Sequence, residues 1–178
     1  MGRIIVCARG KVFNLDNDRL IFYDHFGSDS TEALLSKIEY LAVAEKVDFI
    51  VLDHISLVVS GNPASKDGER KDIDILMTNL RSLIHRTGVG VIAGSQLIKL
   101  GGSKGPEDGG SISIGLLRGS GSIGHVCDAV VAIEKTDESD NSKLKVLKNR
   151  VGCVLGYADT LKYNIETGRL EDDATGMF

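Results

Sequence analysis

The segment Phe49-Ile50-Val51-Leu52 is an uninterrupted apolar run that opens after Asp48 and stops at Asp53-His54. A run of this kind, bounded by polar residues, reads as a strand buried on both faces in the middle of a parallel sheet. Open α/β sheets collect ligands at the carboxyl ends of such strands. Asp53 therefore stands where a metal or phosphate site is expected. A carboxylate there either holds Mg²⁺ beside substrate phosphates or caps the strand end and its turn. Taken alone, the stretch leaves both open.

The rest of the chain supplies a sheet around that strand. Residues 3–8 and 19–24 read as short strands. Asp29 and Glu32 stand in capping-box spacing ahead of a helix whose apolar face is Leu34, Ile38, Leu41 and Ala42. The strand at 48–53 is expected to continue through Ile55, Leu57, Val58 and Val59, before a Gly/Pro/Ser loop at 60–68. Ile73, Leu76, Met77, Leu80, Leu83 and Ile84 recur at helical spacing, and Gly88 sits where a helix C-terminus favours glycine. Residues 89–93 form another apolar strand, ending in Gly94-Ser95-Gln96. The stretch 100–110 is glycine-rich and aperiodic, which predicts a loop. A strand at 128–134, a polar turn at 136–142, strands at 143–151 and 156–165, and a closing turn at Glu166-Thr167-Gly168 follow. Strand–helix alternation up to residue 134 predicts an α/β fold with a mostly parallel sheet flanked by helices, followed by a C-terminal antiparallel β-hairpin extension. No repeat or boundary interrupts residues 1–178, so one domain is expected.

Charge and cysteine usage narrow the function classes. With a net charge of −4 there is no global basic field, so any nucleic-acid contact must be local. Cys7, Cys127 and Cys153 form no Cys-x-x-Cys pair, which points to reduced thiols and a cytoplasmic setting rather than a disulfide framework or zinc site. No apolar run approaches the length of a membrane span, so no membrane partner is expected. Tryptophan is absent, which disfavours an aromatic base-stacking platform.

Three strands end in groups capable of chemistry: Asp53-His54, Ser95-Gln96 and Lys148-Asn149-Arg150. Singly, Gln96 could satisfy loop backbone, and Lys148 and Arg150 could line the solvated side of an edge strand. As an ordered set, expected in one sheet, they resemble the RecA-like motor domain of hexameric replicative DNA helicases, both the DnaB group and phage primase-helicases. Val51-Leu52-Asp53-His54-Ile55-Ser56 resembles the phage Walker B strand, and Glu69-Arg70-Lys71 opens a similarly placed helix. Ser95-Gln96-Leu97 is similar to the DnaB-type Ser-Gln-Leu. Leu117-Arg118-Gly119-Ser120-Gly121-Ser122-Ile123 with Asp128 resembles the family's fourth motif, and Lys148-Asn149-Arg150 with Gly152 its Lys-x-Arg element.

The resemblance implies roles. Asp53 would hold Mg²⁺ on the phosphates of ATP or another NTP. Gln96 would sense the γ-phosphate and relay its loss to the adjacent loop. Arg150, assisted by Lys148, would act as an arginine finger on a neighbouring subunit's nucleotide, which implies a homo-hexamer. Arg118, Gly119, Ser120 and Gly121 would face a central channel and offer backbone N–H groups to single-stranded DNA phosphates. Lys99 and Lys104 would contact the same strand in a salt-dependent, sequence-tolerant way; otherwise they are ordinary loop lysines beside Glu107 and Asp108.

The chain departs from the family pattern at the phosphate grip. It contains no Gly-x-x-x-x-Gly-Lys-Ser/Thr; Gly10-Lys11 is followed by Val12, and Ile5 stands where the first glycine would be needed. No residue matches the family's catalytic Glu. Gly124 and His125 replace longer polar side chains common in the phage fourth motif. The expectation is the C-terminal part of a motor domain, incomplete on its N-terminal side and not hydrolysing ATP as an isolated chain, with ATP or another NTP and Mg²⁺ the cofactors of the complete family protein: either a fragment or a small protein that kept the sheet and lost hydrolysis. The alternatives are a non-catalytic single-strand DNA-binding or ring-assembly module, and a RecA-like ATPase outside helicases.

Overall fold

A computed structural model describes residues 4–7, 20–23, 30–60, 68–98, 110–117, 121–135 and 141–172. Asp29, Lys99, Lys104, Arg118, Gly119 and Ser120 lie outside the described residues. The chain forms two compact units, one from Met1–Gln96 with Arg118–Val126, the other from Leu97–Leu117 with Cys127–Phe178.

The first unit is built on a four-stranded parallel sheet: β1 (Ile4–Cys7), β2 (Leu20–Phe22), β3 (Phe49–Leu52) and β4 (Gly90–Ala93), in the order β2-β1-β3-β4. Helix α1 (Thr31–Val43) starts at Ser30, whose hydroxyl accepts the Ala33 N–H at 3.2 Å. The observed cap is thus the serine one residue after Asp29. Helix α3 (Glu69–Thr87) carries Glu69 and Asp72 in its first turn and His85 and Arg86 in its last, complementing the helix dipole at both ends. It stops at Gly88, whose φ of 74° is the left-handed conformation that glycine tolerates, and whose N–H donates to Ile84 O at 2.8 Å. Leu34, Ile38 and Leu41 of α1, Ile50 and Leu52 of β3, and Ile73, Leu76, Met77, Leu80 and Leu83 of α3 are buried. The apolar stripes predicted on both helices are therefore the core.

Two sequence expectations are corrected here. Residues 55–60 are not strand; they form helix α2 (Ile55–Ser60). Isoleucine and valine favour strands locally, but Ile55, Val58 and Val59 are buried at i, i+3 and i+4, and that tertiary burial decides. Nor is β3 buried on both faces. Ile50 and Leu52 are buried, whereas Phe49 is 49% exposed, and Ile92, level with Val51 on β4, is 59% exposed. One face of the sheet is buried and the other remains open at these positions. Gly90 lies under the Phe49 ring, where a Cβ would stand 2.5 Å from a ring carbon.

The second unit is an antiparallel sheet in the order β5-β6-β7-β8, with β5 at Ala129–Lys135, β6 at Asn141–Asn149, β7 at Gly156–Asn164 and β8 at Arg169–Asp172. Ala129–Lys135 thus belongs with the hairpins and not to the parallel sheet, as its place in the alternation had suggested. Bulges interrupt the ladder between Val130 and Val131 and between Leu144 and Lys145. Asn164 shapes the last hairpin turn, its side-chain oxygen accepting from the N–H groups of Glu166 and Thr167 at 3.0 and 3.1 Å. Leu97 and Leu117 form an antiparallel bridge, and a 3-10 turn spans Ile114–Leu116.

Candidate functional site

Adjacent parallel strands bring Asp53 and Gln96 to one sheet edge. Leu52 is in register with Ala93, so the segments that leave β3 and β4 start side by side at the carboxyl end. Two backbone bonds then tie them together. The Gly94 N–H donates to Leu52 O at 2.9 Å, and the Ile55 N–H donates to Gly94 O at 3.0 Å. Asp53 and His54 are held in a tight turn between those bonds. The two turns pack closely, a Cβ at Gly94 lying in van der Waals contact, 3.4 Å, with both Asp53 Oδ1 and His54 Cβ. Asp53 is exposed, so its carboxylate is available to a ligand at this edge.

His54 closes the cluster. Its Nε2 lies 3.1 Å from Gln96 Nε2, so with the imidazole nitrogen accepting, the carboxamide donates to the ring. The other ring nitrogen, Nδ1, is buried without a hydrogen-bond partner among the described residues. His54 follows Asp53 in sequence, but sequence reasoning gave it no role. Only the pairing of β3 with β4 places its ring against Gln96.

The three strand-end groups do not share one sheet. The second unit carries Lys148 and Arg150, on β6 and in the turn after it. Lys148 is in register with Val130 on β5. The Arg150 N–H donates to Asp128 O at 2.8 Å, and its guanidinium donates to Asp128 Oδ1 at 2.9 Å, both side chains being half exposed. Asn149 sets the turn: its side-chain oxygen accepts from the Val151 and Gly152 N–H groups at 3.2 and 3.0 Å. A Cβ at Gly152 would stand 2.8 Å from Asn149 Nδ2, so a side chain there would push on the amide that sets the turn. Gly121 opens the short helix α4 (Gly121–Val126), whose Ile123 is buried.

A buried carboxylate in the second unit has no counterpart in the sequence reading. Glu134, on β5, accepts from the Ile112 N–H at 2.6 Å, the Tyr157 hydroxyl at 2.8 Å and the Lys145 ammonium at 3.3 Å. Burial alone would push its pKa up. The Ile112 amide, the Tyr157 hydroxyl and Lys145 outweigh that, and the group titrates below the ordinary carboxylate value. The signal in the sequence is a Glu that follows directly on the apolar run Ala129–Ile133.

Among the described residues no three His, Cys, Asp or Glu side chains converge on a metal position. The sheet edge offers one carboxylate, Asp53. That suits Mg²⁺, which is held by one or two carboxylates when substrate phosphates and water supply its other ligands. It does not suit a structural ion caged by protein alone.

A parallel sheet with a carboxylate and a carboxamide at neighbouring strand ends, followed in the chain by an antiparallel sheet, is an α/β architecture that other solved proteins share. One solved ATPase domain matches it with a TM-score of 0.70 at 20% identity, over 89% of this chain and 56% of that one. A DnaB-like replicative helicase, solved in a study of its interactions with primase, matches with a TM-score of 0.71 at 16% identity, over 95% of this chain and 50% of that one. The family model for the DnaB-like helicase C terminal domain matches residues 9–172. The chain belongs to that family. The DNA helicase/primase of Enterobacteria phage T3 is 38% identical over 158 residues, which span 87% of this chain and 28% of the phage protein. The replicative DNA helicase DnaB of Treponema pallidum is 27% identical over 114 residues, 64% of this chain and 24% of that protein. The chain thus spans about a quarter of the length of these curated relatives.

Proposed function

We propose that this chain carries the Mg²⁺-holding and γ-phosphate-sensing side of the ATP site in the motor of a ring-shaped replicative helicase, in which NTP hydrolysis drives translocation on single-stranded DNA. The observation that carries the reading is the convergence of Asp53 and Gln96 at the carboxyl ends of β3 and β4 in a DnaB-family fold. Asp53 holds Mg²⁺ on the nucleotide phosphates, the chemistry the ion supplies being neutralisation of charge on the transferred phosphoryl group. Gln96 sits one strand over, where its carboxamide can exchange hydrogen-bond partners when the γ-phosphate leaves. Arg150 serves as the arginine finger toward a neighbouring subunit, with Lys148 beside it. Its pair with Asp128 is half exposed, and such pairs contribute only about 1 kcal/mol or less, so a phosphate can displace Asp128. Arg118 to Gly121, with Lys99 and Lys104, contact the DNA backbone. The assembly is a homo-hexamer acting in the cytoplasm, and no helix among the described residues is long and apolar enough to cross a membrane.

The 178 residues contain no P-loop. As an isolated chain the protein is therefore expected not to hydrolyse ATP. The test is phosphate release with Mg²⁺ and ATP: background turnover agrees, whereas turnover abolished by Asp53→Asn would overturn the expectation. The same missing motif favours one second reading, a non-catalytic single-strand DNA-binding or ring-assembly module. That reading requires salt-dependent oligonucleotide binding that weakens in Lys99→Ala/Lys104→Ala, and binding that ignores salt would count against it.

A further inference from the structure

His54 is anchored through the backbone on both sides of its ring. The Ile55 N–H donates to Gly94 O at 3.0 Å, and the Leu57 N–H donates to His54 O at 3.1 Å. Ile55, Val58 and Val59, which follow, are buried, so this segment is held by the core. Gln96 stands three residues past β4, in no helix or strand. Its long side chain is among the costlier ones to order. The two meet where His54 Nε2 lies 3.1 Å from Gln96 Nε2, and both belong to the first unit.

Stability alone does not select a histidine at position 54. Its Nδ1 is buried without a hydrogen-bond partner among the described residues, and a buried polar atom left unpaired is destabilising. An apolar ring of similar shape would avoid that cost. What the imidazole adds is its contact with Gln96. A carboxamide NH₂ has two hydrogens. With one given to His54 Nε2, the amide plane is set, and with it the direction of the second hydrogen. We propose that His54 is a positioning residue for Gln96, holding the carboxamide so that it presents an N–H to a phosphate oxygen at the carboxyl ends of β3 and β4. The inference rests on the reading above that Gln96 senses the γ-phosphate. The role needs no contact between His54 and either metal or nucleotide. An amide ordered beforehand spares the complex the cost of immobilising it.

The experiment is nitrogen-resolved NMR on the isotope-labelled 178-residue chain, at about pH 8, where imidazole is ordinarily neutral. Mg²⁺ and millimolar ATP are then added. In the unsubstituted chain the His54 ring is expected to carry its hydrogen on Nδ1, and one Gln96 carboxamide hydrogen to exchange slowly with water. His54→Phe is expected to lose that protection. His54→Gln, whose side-chain oxygen can accept in place of Nε2, is expected to keep it. ATP is expected to shift the Gln96 carboxamide signals, with about three- to tenfold more nucleotide needed in His54→Phe than in His54→Gln. Neither replacement introduces a charge, so a difference between them reports the hydrogen bond and not the field around the phosphates. A hydrogen on Nε2 in the unsubstituted chain, a result that needs no variant to fold, overturns the proposal. So does Gln96 protection that is unchanged in His54→Phe. An ATP response equal in His54→Phe and the unsubstituted chain overturns the positioning role while the sensing reading stands. If ATP shifts no Gln96 signal in the unsubstituted chain, the sensing reading itself fails, and the positioning role falls with it.

Discussion

Asp53 and Glu134 are both carboxylates at the edge of a sheet element, and their surroundings give them opposite uses. Asp53 is exposed at a strand end, so it can exchange water for a cation. Glu134 has its hydrogen-bonding capacity taken up by Ile112, Tyr157, Lys145 and Ser111 and serves to hold backbone. The depressed pKa of Glu134 gives a signed pH prediction. A carboxylate whose folded pKa lies below its unfolded value adds stability that is present above the unfolded value, 4.5, and lost as pH falls through the folded one. Thermal unfolding of the chain and of Glu134→Gln is expected to differ by a constant interval from about pH 6 to 8. The interval should shrink below pH 4.5. A difference that is flat into strong acid would show that Glu134 is not ionised in the fold. Asp53 and Gln96 were legible in the sequence because a polar group ending an apolar strand is a local pattern. Glu134 was not, because its partners come from Ile112, Lys145 and Tyr157, which only the sheet register brings together.

At the scale of elements, α3 shows how far local rules reach. Its apolar spacing and Gly88 were both readable, and each is where the helix rules put it. Gly88→Ala forces a Cβ into a backbone with φ of 74° and is expected to destabilise the chain by about 1 kcal/mol in urea unfolding. Leu76, fully buried, should cost about 2–5 kcal/mol as alanine. If Gly88→Ala were the more damaging of the two, the helix would owe its stability to the cap more than to its packing. Two segments broke the local rules for reasons that are not local. Ile55–Ser60 is rich in β-formers yet is helical because Ile55, Val58 and Val59 share one buried face. Ala129–Lys135 reads as one more strand of the alternation, but pairing with Asn141–Asn149 assigns it to the antiparallel sheet. The order of strands along a chain does not specify which sheet each joins.

For the whole molecule, the net charge of −4 makes the salt dependence of oligonucleotide binding informative, since no diffuse positive field can imitate local phosphate contacts. The matched part of the chain spans about a quarter of the length of its curated relatives, and the proposed motor needs a phosphate grip that its 178 residues do not contain. The claim that Asp53 and Gln96 form the metal and sensor side of an ATP site is tested most directly by supplying that grip. The upstream part of the phage helicase/primase relative, fused ahead of this chain, gives a protein whose Mg²⁺-dependent ATP turnover can be measured with and without single-stranded DNA. The expected result is DNA-stimulated turnover that falls by about 100-fold or more in Asp53→Asn and in Gln96→Ala, with the fusion still assembling as a ring. Turnover that is equal in the fusion and in both variants would contradict the account.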